Sequence, residues 1–275
     1  MMGKKVKMRS AVRIIMAVVV LFAVICAVFP LVYMLLVSLT QKITLDLYFN
    51  PATFNLDNYR RIFGNLNIIR NMTNSIIVTV CACFFNCLFS SMAAYGFAKH
   101  RFRGREALFM IFLATMMIPG QATLIPVFTI MRHFHLLNTY FALVLPLINA
   151  FGVFLIRQFM NGVPDELIEA ARIDGCGEHR IYARIVLPLI RPVLISLTIF
   201  TFITAWNDFL WPLVVITRSE MQTVTLAMST LKGNLTVNYG LVMAGTTLAF
   251  IPPFIMYVFL QKEFVEGIAM SGIKA

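Results

Sequence analysis

A chain of 275 residues that is 60% hydrophobic and only 13% charged, with a mean hydropathy of +0.83, carries more apolar side chain than a soluble domain of its size can bury. That composition excludes a water-soluble globular enzyme and points to an all-α, polytopic membrane protein. The net charge of +11 does not point to nucleic acid, because the 23 Lys and Arg are divided among separate segments and build no single basic face.

Crossing about 30 Å of hydrocarbon takes about 20 helical residues. Six apolar runs are long enough to be spans: 14–39, 76–98, 107–128, 140–156, 193–216 and 241–260, the fourth being the shortest. Lys4, Lys5, Lys7 and Arg9 precede the first run, which is too long for the apolar region of a signal peptide and is read as a retained anchor. The segment 40–73 is too short and polar for a core of its own, so the expectation is one transmembrane domain over 1–275. In the sixth run Pro252-Pro253 removes two backbone donors and should kink or open the helix.

Six spans place both termini and the loops 99–106 and 157–192 on one side. That side holds 16 of the 23 basic residues and the other side 7, so the termini are expected in the cytoplasm. Cys26, Cys81, Cys83 and Cys87 fall within spans and Cys176 in the second cytoplasmic loop, so no disulfide is expected. The four His, at 100, 133, 135 and 179, show no ligand spacing with carboxylates, and no metal site is expected. No nucleophile–base cluster and no G-x-x-x-x-G-K-[ST] phosphate loop occurs, so no chemistry is expected here and the chain is read as a non-catalytic subunit.

The charged island 164–192 stands apart from the apolar runs. Asn161-Gly162-Val163-Pro164 ends the fourth helix, and Pro164 suits the first position of a new one, followed by Asp165 and Glu166 at the positive end of its dipole. Winding 165–174 at about 100° per residue puts Leu167, Ile168, Ala170 and Ala171 on one arc and Asp165, Glu166, Glu169 and Arg172 on the other, with Ile173 out of place. Gly175 is the residue able to take a left-handed cap, and Gly177 offers another free turn before a helical pattern resumes with Ile181 and Ile185 four apart. Pro188 and Pro192 lead into the fifth span. The expectation is a cytoplasmic helix-turn-helix whose second half continues into a membrane helix, able to pass displacement from a partner to the bundle. An amphipathic loop lying in the headgroups, with Glu169 paired to Arg172, fits the same periodicity.

Asn86, Gln121, Asn149 and Thr204 lie within spans and are candidates for lining a path, against the plainer reading of hydrogen bonds between helices. Trp206, Asn207, Asp208 and Trp211 fall towards the outer end of the fifth span, where Trp anchors at the interface and Asp208 either meets a partner or makes a structural hydrogen bond.

Glu169-Ala170-Ala171, Asp174-Gly175, Pro188 and Pro192 resemble the EAA loop of bacterial ABC importer permeases. Ala94-Tyr95-Gly96-Phe97-Ala98, Arg101-Phe102-Arg103-Gly104-Arg105, Pro119-Gly120-Gln121, Ile125-Pro126, Leu137-Asn138-Thr139 and 206–212 are similar, in order, to the maltose-type branch that carries carbohydrates, as is the tail from Glu266 to Lys274. The resemblance implies a bacterial inner-membrane subunit paired with a second permease, two ABC ATPase subunits that bind ATP and Mg, and an extracytoplasmic solute-binding protein. No cofactor would be held by this chain itself. It implies that the helix from 164 to 174 seats in the ATPase, with Glu169 meeting a basic group, the alanines permitting close approach and Gly175 making the turn. It also implies that Gly272, Ile273 and Lys274 reach the ATPase, and that Lys232, Gly233 and Asn234 form a tip towards the binding protein.

Two other classes compete. An ion-coupled secondary transporter half would use buried carboxylates, yet apart from Asp208 the six runs contain no acidic residue. A membrane scaffold without transport would need no ATPase partner.

Overall fold

The computed structural model describes residues 2–41, 50–65, 67–230 and 238–272. Among them the chain is nearly all helix, with no strand. It divides into two compact units, Met1–Asn67 with Met228–Phe250, and Ile68–Ala227 with Ile251–Ala275.

The first unit is dominated by α1 (Met2–Ser38), whose side chains from Ile14 to Phe29 are apolar and exposed all round the helix, as a lipid-facing segment requires. α2 (Asp57–Asn65) folds back on its end: the buried Asn58 Nδ2 donates to the carbonyls of Ser38 at 2.9 Å and Thr40 at 2.8 Å. At Gly240, near the start of the last helix, α14 (Tyr239–Gly272), any Cβ would collide with the Thr40 carbonyl.

The second unit is built round α3 (Ile68–Lys99), against which α7 (Ala150–Met160) and α11 (Arg191–Asn207) pack. The buried face of α3 carries Asn71, Ser75, Val78, Ala82, Asn86, Ser90 and Ala94, small or amide side chains that bring helices close where lipid gives no hydrophobic drive. Two apolar clusters sit at its two halves. One joins Val78 and Ala82 to Leu143, Leu147 and Val215, and the other joins Ala94 and Tyr95 to Ile156, Met160, Ile181 and Leu197. Between them lies a polar node: Asn86 Nδ2 donates to Thr201 Oγ1 at 2.9 Å, and Asn86 Oδ1 accepts from Ser90 Oγ at 3.1 Å and from the Asn149 amide at 3.4 Å.

Three helices are long and apolar enough to cross a membrane, Val12–Ser38, Ile68–Lys99 and Tyr239–Gln261, and five segments qualify if each of two bent pairs counts once. The run 107–128 is not one helix. α4 (Arg105–Met116) stops, 117–123 turns, and α5 (Leu124–His133) restarts, because Pro119 lacks an amide hydrogen and restricts Ile118. The Pro119 carbonyl instead accepts from Ala122 N at 2.9 Å.

The run 140–156 bends by 41° between α6 (Tyr140–Val144) with its following turn and α7, at Asn149, whose side chain caps the Gly152 amide. The run 193–216 breaks at Asp208, α12 (Leu210–Val215) starts afresh after it, and α13 (Val224–Thr230) follows. Pro252 and Pro253, expected to kink the sixth span, stand inside an unbroken α14.

Candidate functional site: the 161–192 segment

α7 unwinds through Asn161 and Gly162, and Pro164 caps α8 (Asp165–Ile173) with an extended ψ of 133°. The helix therefore begins one residue later than the sequence suggests. The left-handed cap expected at Gly175 is present, with φ +77°. Its amide donates to the Arg172 carbonyl at 3.0 Å and Cys176 N to the Ala171 carbonyl at 2.9 Å, the paired closure that a left-handed glycine allows. Gly177 is ordinary extended backbone, φ −70° and ψ 156°, and supplies no special turn.

After α9 (Glu178–Ile181) the chain widens into a π-helical turn at Tyr182–Val186, tightens into α10 (Leu187–Leu189), and corners at Ile190. The segment 178–189 meets α11 at 76°. The expected direct continuation into a membrane helix is thus replaced by a sharp corner. Pro188 and Pro192 flank it, each near the start of a helix where a missing amide costs least.

The apolar arc of α8 divides. Ile168 and Ala171, 3% and 6% exposed, enter the cluster of Ala94, Met160, Val163 and Ile181, whereas Leu167 and Ala170 stay exposed. Only Ala170 of the alanine pair faces outward, so the close approach made by Ala171 is within the chain. Glu169, Asp174 and Gly175 are exposed as well, and Ile173 is 87% exposed, an apolar side chain with its face to the outside.

Charge fixes the helix at both ends. At its start Lys99 Nζ donates to the Val163 carbonyl and to Asp165 Oδ1, both at 2.6 Å, from a side chain only 5% exposed. The Lys99 hydrogen bond and charge hold the Asp165 carboxyl below the usual aspartate range. At its end Arg172 Nε donates to Glu178 Oε1 at 2.8 Å, six residues on, so Arg172 closes the Gly175 turn rather than pairing with Glu169. Glu178 Oε2 accepts from Tyr95 Oη at 2.8 Å and lies 3.5 Å from His100 Nε2. Ser91 Oγ and Tyr182 Oη share a hydrogen bond at 2.7 Å.

Nearby, Arg157 Nη2 binds both oxygens of Glu106 at 2.8 and 2.9 Å with its guanidinium 3.7 Å over the Phe109 ring. That pairing lowers the Glu106 pKa and ties α4 to α7.

Ser91, Tyr95, Lys99, Arg172 and Glu178 were not singled out by sequence reasoning as site residues. The available signal was the spacing of the first three, four residues apart on an otherwise apolar run.

The remaining candidates are local in their bonding. Asn86 bonds between helices, Asn149 caps α7, and Thr204 Oγ1 bonds the Phe200 carbonyl of its own helix at 2.9 Å. Gln121 is exposed. Asp208 accepts from the Trp211 amide at 3.4 Å, the structural reading, while Trp211 Nε1 donates to the Ala142 carbonyl at 2.7 Å. Trp206 is 3% exposed and stacks on Phe202, packing inside the unit instead of standing at an interface, and Asn207 bonds the Ile203 carbonyl. Gly272 ends α14, whereas Ile273, Lys274 and the tip Lys232, Gly233 and Asn234 lie outside the described residues.

Residues 86–269, which include the whole 161–192 segment, match the family described as the binding-protein-dependent transport system inner membrane component. The arabinooligosaccharides transport system permease protein AraQ of Halalkalibacterium halodurans is 37% identical over 260 residues, 92% of this chain and 93% of that one. The lactose transport system permease protein LacG of Rhizobium radiobacter is 34% identical, over 89% and 90%. Among solved structures, a bacterial ABC transporter involved in import of the acidic polysaccharide alginate superposes with a TM-score of 0.82 at 26% identity, covering 91% of this chain and 95% of that one. The chain belongs to the binding-protein-dependent transport system inner membrane component family. It is a permease subunit of a sugar ABC importer.

Proposed function

We propose that this chain forms half of the translocation path for a carbohydrate, an oligosaccharide being the first candidate, and couples that path to separate ATPase subunits through α8. The sugar class rests on what the relatives are named for carrying: arabinooligosaccharides, lactose and starch degradation products.

The observation that carries the coupling is the two-faced packing of α8. Ile168 and Ala171 are spent on the chain's own core, which leaves Glu169, Ala170, Ile173 and Asp174 as an outward face with both charge and apolar surface. Such a face suits a cleft in an ATPase subunit, where Glu169 meets a basic group, Ala170 lets backbones approach and Gly175 turns the chain away. Pro188 stands at the corner where the segment turns into α11.

The topology has six crossings, with the third made by the α4–α5 region and the fourth and fifth by the bent segments, within one transmembrane domain. Both termini and 157–192 face the cytoplasm, as the basic-residue bias favours. A second permease completes the path, two ATPases bind ATP and Mg, and an extracytoplasmic binding protein delivers the sugar. Gly272, Ile273 and Lys274 lie near the ATPase, and Lys232, Gly233 and Asn234 near the binding protein. Alternating access follows when the ATPases close and the two permease halves move as rigid bodies.

The test is affinity purification of the tagged chain followed by uptake in proteoliposomes. An ATPase and a second permease should accompany it, and uptake should require ATP. The double variant Glu169→Lys, Gly175→Val should insert normally and abolish uptake; ATP-driven uptake at the normal rate in that variant would falsify the coupling assignment.

A further inference from the structure

α3 is held at both ends by the two non-membrane segments that lie farthest apart along it. At one end Ser91, Tyr95 and Lys99, one helical turn apart in succession, bond Tyr182, Glu178 and the Val163–Asp165 start of α8. At the other end Arg70 Nε and Asn74 Nδ2 both donate to the Glu220 carbonyl at 2.9 Å, Asn74 Nδ2 also to the Gln222 carbonyl at 3.0 Å, and Ser75 Oγ accepts from Val224 N at 2.8 Å. Tyr140 Oη fixes Asn74 in turn at 2.7 Å, and Asn138 Oδ1 accepts from the amides of Thr217 and Arg218.

We infer that α3 is a strut that carries the displacement of α8 to the 217–224 segment on the opposite side of the membrane, with Tyr95 and Lys99 as positioning residues at its driven end and Asn74 at its far end. This rests on the proposed reading of α8 as the ATPase-coupling helix.

Three physical points support it. First, the 32 residues of α3 form one uninterrupted helix, about 48 Å long at about 1.5 Å per residue, whereas the chain after α8 corners by 76° and breaks again at Asp208. A straight helix transmits an axial push that a cornered one absorbs. Second, the bonds at the driven end involve both arms of the 163–182 segment, so α8 cannot shift as a body without moving α3 or breaking charge-assisted bonds. Third, the bonds at the far end go to backbone atoms of 220–224, so what they hold is the path of the chain rather than one side chain. Coupling of this kind is reciprocal, so a partner that shifts 217–224 shifts α8 as well.

The experiment uses the purified importer in nanodiscs with the five native cysteines replaced and Glu220→Cys as reporter, a site where the structural bonds are made by the backbone. The readouts are vanadate-trapped nucleotide, which reports on the ATPase, and the alkylation rate at the reporter by a membrane-impermeant maleimide, with and without trapping. Expected is a severalfold change in alkylation rate on trapping. Tyr95→Phe with Lys99→Met should abolish that change while nucleotide is trapped at equal stoichiometry, and Asn74→Ala alone should do the same from the far end. A residue that merely supported folding would lower trapping and assembly together.

The inference is overturned if the reporter is unresponsive in the otherwise native complex, or if the response survives in either variant. It is likewise overturned if both variants lose trapping, since the residues would then serve assembly. Failure of the underlying reading looks different: no ATPase accompanies the otherwise native chain and no nucleotide is trapped at all.

Discussion

Lys99 and Asp165, 66 positions apart, meet at 2.6 Å, and the lysine side chain that makes the bond is almost wholly buried while the carboxylate is not. The buried partner sits on α3 and the exposed one on α8, so the first turn of α8 is fixed from α3. Because Nζ also binds the Val163 carbonyl, a single ammonium holds both the chain leading into α8 and its first residue.

Replacing Lys99 by Met keeps the stem and removes the charge. Losing hydrogen bonds to a charged group costs about 1.5–3 kcal/mol, so the start of α8 should open at least about tenfold more often, at about 1.4 kcal/mol per factor of ten. Hydrogen–deuterium exchange of the peptide covering 163–175 should rise accordingly, with the 140–156 region unchanged.

The same pair makes the helix acid-sensitive in a defined direction. Asp165 has its folded-state pKa lowered by Lys99, so its contribution is complete above the ordinary aspartate value of about 3.9 and is lost as pH falls through the lowered value. A nitroxide at the exposed position of Ile173→Cys should stay immobilised at neutral pH and gain mobility only in the acid range below that ordinary value. In a Lys99→Met background the transition should shrink by the part due to Asp165 and keep the part due to Glu178, whose carboxyl Arg172 also holds low.

Gly152 is a close-approach position in α7. A Cβ there would run into Ser90 Oγ and stand 3.0 Å from Leu197 Cδ2. Gly152→Ala should therefore cost about 1–3 kcal/mol by overpacking, read as a lowered melting temperature of the purified protein. Adding Ser90→Gly should recover only part of the loss, since it removes one of the two side chains the new methyl meets and puts a glycine inside α3.

Asn86→Leu takes the centre out of the polar node and leaves Thr201 Oγ1, Ser90 Oγ and the Asn149 amide without their shared partner. Hydrogen bonds between membrane helices are worth about 0.6 kcal/mol on average and up to about 1.7. A loss within that range is expected in denaturant titrations, together with faster exchange at the α6–α7 bend that Asn149 caps.

Local features were readable in proportion to how local they are. Gly175 follows a helical pattern directly, and only a residue free to take positive φ closes α8 in the observed way, so its conformation was evident from its neighbours. Pro119-Gly120 ends α4 inside an apolar run that is continuous by hydropathy, so run length alone does not show the break. Pro252-Pro253 stand inside a helix that continues past them, so a proline pair did not mark a helix end there. The Glu169–Arg172 pair that the headgroup-loop alternative carried does not form, because the left-handed turn brings Glu178 within 2.8 Å of Arg172 instead.

Composition and run length alone determined that this is a helical membrane protein, and the motif at 169–175 pointed to the permease family, because both depend on properties of consecutive residues. Tertiary structure alone decided which alanine turns inward, where α9–α10 corners into α11, and that Ser91, Tyr95 and Lys99 reach Tyr182, Glu178 and Asp165. Those partners stand 91, 83 and 66 positions away, and they are chosen by which helices pack together in space, a relation that no periodicity along the chain encodes.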